Sequence, residues 1–355
     1  MKATYMSQNP TVQKLFGLNK DNSQAYVDAE ISRQMHRNKY PISLGVSKCM
    51  DGRVHLPVMT NTPLGYMHPW RNIGGNFDLG WPFYQETIAH WLKQSIREST
   101  PMVMLTTYHY ARGAAGEDVE KVKSRGCAGH EYDTEAAHAA SWKLKQQFDD
   151  AFRNDDFYAL NWGVETDLDA LILNGEKGQI VDLSEFKYHQ VVEIVDMLRE
   201  LHPQVPIDVI RNLVPVIEGN IAHITGVRNS NRPIIDMEHK ERVLAVGRGF
   251  DWLHEPNLAL IVGPYDPQLE AVIGKAAGLL QGNLENNRVK PEDGLVLLVS
   301  AQYEEDGYKR RLAEFKAQNL AKVSQKAIEK YTPNLELDLV MATCDMKTRK
   351  LNVLN

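Results

Sequence analysis

Leu44-Gly45-Val46-Ser47-Lys48-Cys49-Met50-Asp51-Gly52-Arg53 is the stretch that decides how the rest of the chain is read. Ile42, Leu44 and Val46 alternate along it with the period of a strand, and the run ends in a cysteine, an aspartate and an arginine. Met102–Thr107 is a second apolar strand, ending near His109. Between the two, Ile88, Trp91, Leu92 and Ile96 recur at helical spacing. A further helix after Cys127 carries Ala137, Ala140, Leu144, Phe148 and Phe152, and a third carries Val191, Ile194, Val195 and Leu198. Strands alternating with helices predict an α/β protein, a sheet with flanking helices.

The chain has 355 residues, 43% hydrophobic and 24% charged, the balance of a globular protein long enough for two domains and an appendage. A formal charge of -6, from 40 basic and 46 acidic residues, argues against nucleic acid or an anionic membrane as partner. No apolar stretch approaches the roughly 20 residues of a membrane-spanning helix, and the opening residues lack a signal-peptide core, so the expected location is cytoplasmic. Cys49, Cys127 and Cys344 are too few for a disulfide scaffold and leave thiolate chemistry or metal binding open.

Residues 1–40 read as a polar helical lead-in, and 41–228 as the first full domain. The turn-rich run Asn229-Ser230-Asn231-Arg232-Pro233 marks its end, and 229–355 reads as a second copy. Leu44–Asp51 lies without gaps over Leu244–Asp251, and Met102–Leu105 over Leu295–Leu298, with Tyr110 on Tyr303. The later copy has its own long helix with Leu312, Phe315, Leu320 and Val323, and each copy closes on a strand pair, Leu171–Asn174 against Asn352–Asn355. Under this alignment Cys49 becomes Gly249, Arg53 becomes Leu253 and His109 becomes Gln302. The apolar frame survives while the reactive side chains disappear, which suits one working copy and one degenerate copy without a metal site.

Cys49 ends one strand and His109 another, where open α/β sheets hold ligands. With Cys127 they make two sulfurs and one imidazole, a zinc donor set that leaves a fourth position for water. The bland alternative is two small buried thiols and a core histidine, and the spacing matches no short zinc-finger pattern. Gly247-Arg248-Gly249 lacks the third glycine of a dinucleotide fingerprint, and phosphate-loop and H-E-x-x-H motifs are absent. Lys309-Arg310-Arg311 reads as a solvated helix face, Cys344 as a core thiol, and His130 with His138 as a pair without a third ligand.

C-x-D-x-R, as Cys49, Asp51 and Arg53, resembles the zinc-cysteine and Asp-Arg dyad of β-class carbonic anhydrases, and Arg71-Asn72-Ile73-Gly74-Gly75-Asn76 is similar to a turn of that class. One departure is plain: the class places its second cysteine three residues after the histidine, where this chain has Arg112. The long His109-to-Cys127 interval, the site-less second copy, and the stretches Gly163–Ala170 and Arg242–Phe250 resemble the carboxysome shell carbonic anhydrases, a divergent β-class branch. The resemblance implies zinc on Cys49, His109 and Cys127, and a zinc-bound hydroxide that converts carbon dioxide to bicarbonate. It also implies Asp51 orienting the nucleophile and Arg53 holding Asp51 ionised. Phe77, Leu79, Trp81 and Phe83 are candidates for an apolar wall, and His55, His68 and His130 for proton transfer. A homodimer or higher homo-oligomer, contact with carboxysome shell or cargo proteins, and a location within the carboxysome follow by the same likeness. Two other functions fit the text: hydrolysis of carbonyl sulfide or carbon disulfide on the same scaffold, and a non-catalytic shell or assembly protein.

Overall fold

β1 (Ser43–Cys49) forms where the alternation places it, with β2 (Met67–Asn72) on one side and β3 (Met102–Tyr110) on the other, both parallel to it. The computed structural model describes every residue except 1–7, 114, 115, 154, 187–190, 231, 234–236 and 355. Part of the lead-in, Asn231 of the expected boundary and Asn355 of the closing strand therefore lie outside the described residues. β4 (Phe157–Glu165) continues the sheet in parallel, and β5 (Ala170–Asn174) and β6 (Ile180–Asp182) return antiparallel. The order β2-β1-β3-β4-β5-β6 sends the chain from β1 first to one side and then to the other. The border between β1 and β3 is thus a topological switch point, where sheets of this kind bind ligands beyond the carboxyl ends of the strands.

One face of this sheet is an apolar core. Leu44, Val46, Val103, Leu105, Leu160, Trp162 and Val164 meet Ile194 and Leu198 of α7 (Val191–Leu201) and Ile210, Leu213 and Ile217 of α8 (Ile207–Asn229). Each such side chain contributes about 1.5–3 kcal/mol when fully buried. On the other face Ser47 shares a 2.7 Å hydrogen bond with Tyr84 of α4 (Pro82–Arg97), and Asn161 donates to Ser141 of α6 (Thr134–Ala151). The buried stripe of α4 is Ile88, Trp91 and Ser95, whereas Ile96 is exposed, so the expected stripe turns by one position near its end. Ser95 holds that place by donating to Ser43 at the start of β1.

By internal contact the chain divides into two units, Ser32–Met237 and the combination of Met1–Ile31 with Glu238–Asn355. In the latter, β7 (Val243–Gly247) lies between β8 (Ala259–Val262) and β9 (Val296–Tyr303), both parallel to it. β10 (Asp338–Asp345) is parallel to β9 and β11 (Leu351–Val353) antiparallel to β10. The order β8-β7-β9-β10-β11 has the same sequence of directions as β2-β1-β3-β4-β5. Leu44 pairs with Val103 while Leu244 pairs with Leu297, so strand register sets Tyr303, and not Gln302, at the position of His109. A shift of one residue exchanges the faces of a strand, which makes the difference chemical as well as formal.

The lead-in helix α1 (Pro10–Asp28) belongs to this second unit. Asn9 caps it, Thr11 donates to Asp293, and Asn19 both donates to Arg349 O and accepts from Leu351 N. The long helix α10 (Tyr308–Tyr331) turns a stripe of small residues inward, Ala313, Ala317, Ala321, Ser324 and Ala327. Leu312 and Phe315, expected on the core side, are exposed. Cys344 is fully buried in β10, as a core thiol, and burial pushes it up to about 12. No described helix is long and apolar enough to cross a membrane.

Candidate metal centre

The paired part of β1 and β3 ends at Ser47 and Thr106, and the two strands run on past it to Cys49 and Tyr110. Into this border fits a 3₁₀ turn, Ile73–Gly75, that follows β2 directly. Gly75 has φ +66, and a Cβ there would stand 2.9 Å from the carbonyl oxygen of Thr107 and 3.4 Å from the nitrogen of Cys49. A second 3₁₀ turn, Ala128–His130, lies against the first: a Cβ on Gly129 would come within 2.4 Å of the nitrogen of Gly74, and His130 Nε2 is 3.0 Å from Gly74 O. Glycine at 129 lets the two turns touch through their backbones, and glycine at 75 lets the first turn lie against the ends of β1 and β3. The contact brings Cys127, the residue before the second turn, over the ends of β1 and β3.

Cys49, His109 and Cys127 therefore come together, each offering a ligand atom within 4.8 Å of the others, and all three are buried. The two sulfurs are 4.0 Å apart. Neither ring nitrogen of His109 has a hydrogen-bond partner among the described residues. A buried imidazole nitrogen left unsatisfied costs free energy that a cation bound to it would relieve, and two thiols beside it supply soft donors. In the metal-free chain the Cys127 thiol, through its hydrogen bond, and burial hold Cys49 well above the usual thiol range. Burial lowers the affinity of His109 for a proton, but Cys49 and Asp51 beside it more than compensate and leave it raised. A dication reverses both preferences, because bound thiols are deprotonated and bound imidazole is neutral. The three residues thus form a candidate metal site whose donor set suits zinc.

Asp51 and Arg53 stand beside it as a buried pair. Arg53 donates from Nε to Oδ1 at 3.1 Å and from Nη2 to Oδ2 at 2.6 Å, and its backbone N–H also reaches Oδ1 at 2.8 Å. Such a two-pronged charge-assisted contact fixes the plane of the carboxylate as well as its charge. Asp51 Oδ2 is 3.7 Å from His109 Nε2. Arg71 donates to the backbone oxygen of Asp51, and Met50 N–H donates to Asn72 O, so the end of β2 braces the turn after β1. Asn72 in turn donates to Asn76 O across its own turn.

The other residues singled out scatter. Phe77 is buried and stacks on Tyr84, while Phe83 is exposed at 62% and forms no wall. His68 packs on Trp70 within β2, and His55 precedes the short helix α3 (Leu56–Met59). His130 borders the metal-ligand turn, its N–H donating to Cys127 O, whereas His138 lies on α6 against Tyr108. The two do not share a helix. Glu165 and Asp167, where β4 ends and turns, are not among the site candidates read from the sequence. Only the stretch Gly163–Ala170, quoted for its likeness, contained them.

No protein-family model matches the chain. Against known proteins, it is 25% identical over 251 residues to the carboxysome shell carbonic anhydrase of Prochlorococcus marinus (strain MIT 9313). The match covers 61% of this chain and 46% of that protein, so less than half of the relative is spanned. The two are distantly related.

Proposed function

We propose that this chain is a zinc-dependent carbonic anhydrase, catalysing the reversible hydration of carbon dioxide to bicarbonate. The observation that carries the reading is the convergence of Cys49, His109 and Cys127 in one buried cluster, with the Asp51–Arg53 pair at its side. Cys49, His109 and Cys127 would hold the zinc, which when bound would supply the Lewis acidity that lowers the pKa of a water toward neutrality. Asp51 accepts a hydrogen bond from the attacking water and orients it toward the carbon of the substrate. Arg53 keeps Asp51 ionised, and because it holds both carboxylate oxygens it would leave neither free to coordinate a metal ion. The side chains of Cys49, Asp51, Arg53, His109 and Cys127 are all buried, which sets the site apart from bulk solvent.

Residues 41–228 are the catalytic part of this proposal, and 229–355 a degenerate copy of it, with 1–40 leading in. The shared strand order and directions of the two sheets support duplication. At the counterpart of Cys49, a Cβ on Gly249 would lie 2.6 Å from the Cβ of Cys344, so the position of the first sulfur is occupied from β10. The distant relative's name supports a role with the carboxysome, and a homo-oligomeric state belongs to the same proposal.

Stopped-flow hydration of carbon dioxide with parallel metal analysis tests it. Wild-type protein is expected to hold one zinc per chain and to accelerate hydration. Cys49→Ser loses both, while Asp51→Asn keeps the zinc and loses on the order of 10²-fold in rate, the usual range for removing a proton-handling group. Hydration left intact in Cys49→Ser, or a zinc-loaded wild type inert toward carbon dioxide, overturns the reading.

A further inference from the structure

The connection from His109 to Cys127 begins and ends on one carboxylate. Asp167 lies two residues beyond β4, and its Oδ2 accepts from the backbone N–H of Arg112 at 3.1 Å and of Gly113 at 2.7 Å. The same oxygen accepts from Arg125 Nη2 at 3.3 Å. Arg112 and Gly113 open the connection, and Arg125 stands two residues before Cys127. Arg125 is itself buried, and its other contacts run to both oxygens of Glu117, on the same connection. Asp167 Oδ1 is buried with no partner among the described residues, so the recognition falls on the one oxygen that faces the connection.

The clamp is rigid on its own side as well. Glu165 accepts from the N–H of Asp167 at 2.7 Å and of Leu168 at 3.0 Å, and Thr166 N–H donates to Tyr110 O at 2.9 Å. The turn that carries Asp167 is therefore fastened to the ends of β3 and β4, the strands that also set His109. Joining the two ends of a long connection removes most of the conformational freedom that Cys127 would otherwise lose on meeting a metal.

We propose that Asp167 is a positioning residue for metal capture, placing the Cys127 sulfur against Cys49 and His109 by closing both ends of the intervening connection on one anionic oxygen. The inference rests on the metal-site reading above. Gly129 and His130 hold the Cys127 turn from the side of Gly74, so loss of the clamp weakens capture without abolishing it. Groups that orient metal ligands from outside are worth about 10–100-fold in affinity.

The experiment uses the full chain, Co²⁺ as the probe metal, and Asp167→Asn, with Arg125→Lys as a second variant that retains the charge but not the two-pronged geometry. Affinity is read from the sulfur-to-cobalt charge-transfer band. In parallel, maleimide labelling of the metal-free protein is followed at each cysteine by peptide mapping. Asp167→Asn is expected to lose about 10–100-fold in Co²⁺ affinity, and to label faster at Cys127 with Cys344 unchanged. Arg125→Lys shifts both readouts in the same direction by less, and carries the test where Asp167→Asn does not fold. Affinity and Cys127 labelling at wild-type levels in both variants overturn the proposal. A wild type without the sulfur charge-transfer band overturns the metal reading instead, and the labelling then decides alone whether Asp167 places Cys127.

Discussion

Glu165 is fully buried, and burial pushes its carboxyl from an ordinary 4.5 up to about 7, although two backbone N–H groups donate to it. The folded chain then binds this proton more tightly than the unfolded chain does. On account of Glu165, stability is complete below pH 4.5, declines as the pH rises to about 7, and loses nothing further above that. Urea unfolding of Glu165→Gln across this window is expected to show a flatter profile than wild type; an unchanged decline would assign it to another group. Cys49, Asp51, Arg53 and His109 were legible because three of them sit in one short motif and the fourth ends a recognisable strand. Cys127 was nominated by donor chemistry and family likeness, since separation along a chain says little about proximity in space. Glu165 and Asp167 were not legible as a clamp. Their partners at Arg112, Gly113 and Arg125 are distant in sequence, and a carboxylate accepting backbone N–H groups leaves no periodic trace.

At the scale of elements, the site depends on two 3₁₀ turns meeting without side chains between them. Gly129→Ala would set a Cβ 2.4 Å from the Gly74 backbone nitrogen, a clash with main chain that no rotamer relieves. A cost of about 2 kcal/mol or more is expected in denaturant unfolding, together with weaker metal retention. Wild-type stability in this variant would show that the turns do not touch. β1 was readable from alternation and β3 as an apolar run, because Leu44, Val46, Val103 and Leu105 all enter one core. Helix faces were less so. In α10 the large residues Leu312 and Phe315 suggested the inner stripe, yet alanines face inward, because small side chains let a long helix lie close to its sheet. In α4 a serine takes an inner position that pattern alone assigns to Ile96, since its hydroxyl is satisfied by Ser43 and by Trp91 O.

Across the whole molecule, two sheets share one strand order, and the chemistry differs at their corresponding ends. The switch point of Ser32–Met237 gathers a cysteine pair and a histidine, whereas the corresponding point beside β7 has Gly249 packed on Cys344. Repeated strand text predicts the shared order and directions of the two sheets, but the register, which sets Tyr303 and not Gln302 level with His109, was not settled by apolar text because neighbouring registers look alike. One metal per chain, with two sulfurs and an imidazole around it, is the centre of the proposed function. Zinc-edge X-ray absorption of the purified full chain measures this directly. The expected first shell has two sulfur scatterers at about 2.3 Å and light nitrogen or oxygen scatterers at about 2.0–2.1 Å, at one zinc per chain. A shell without sulfur, or a protein that holds no zinc, would contradict it.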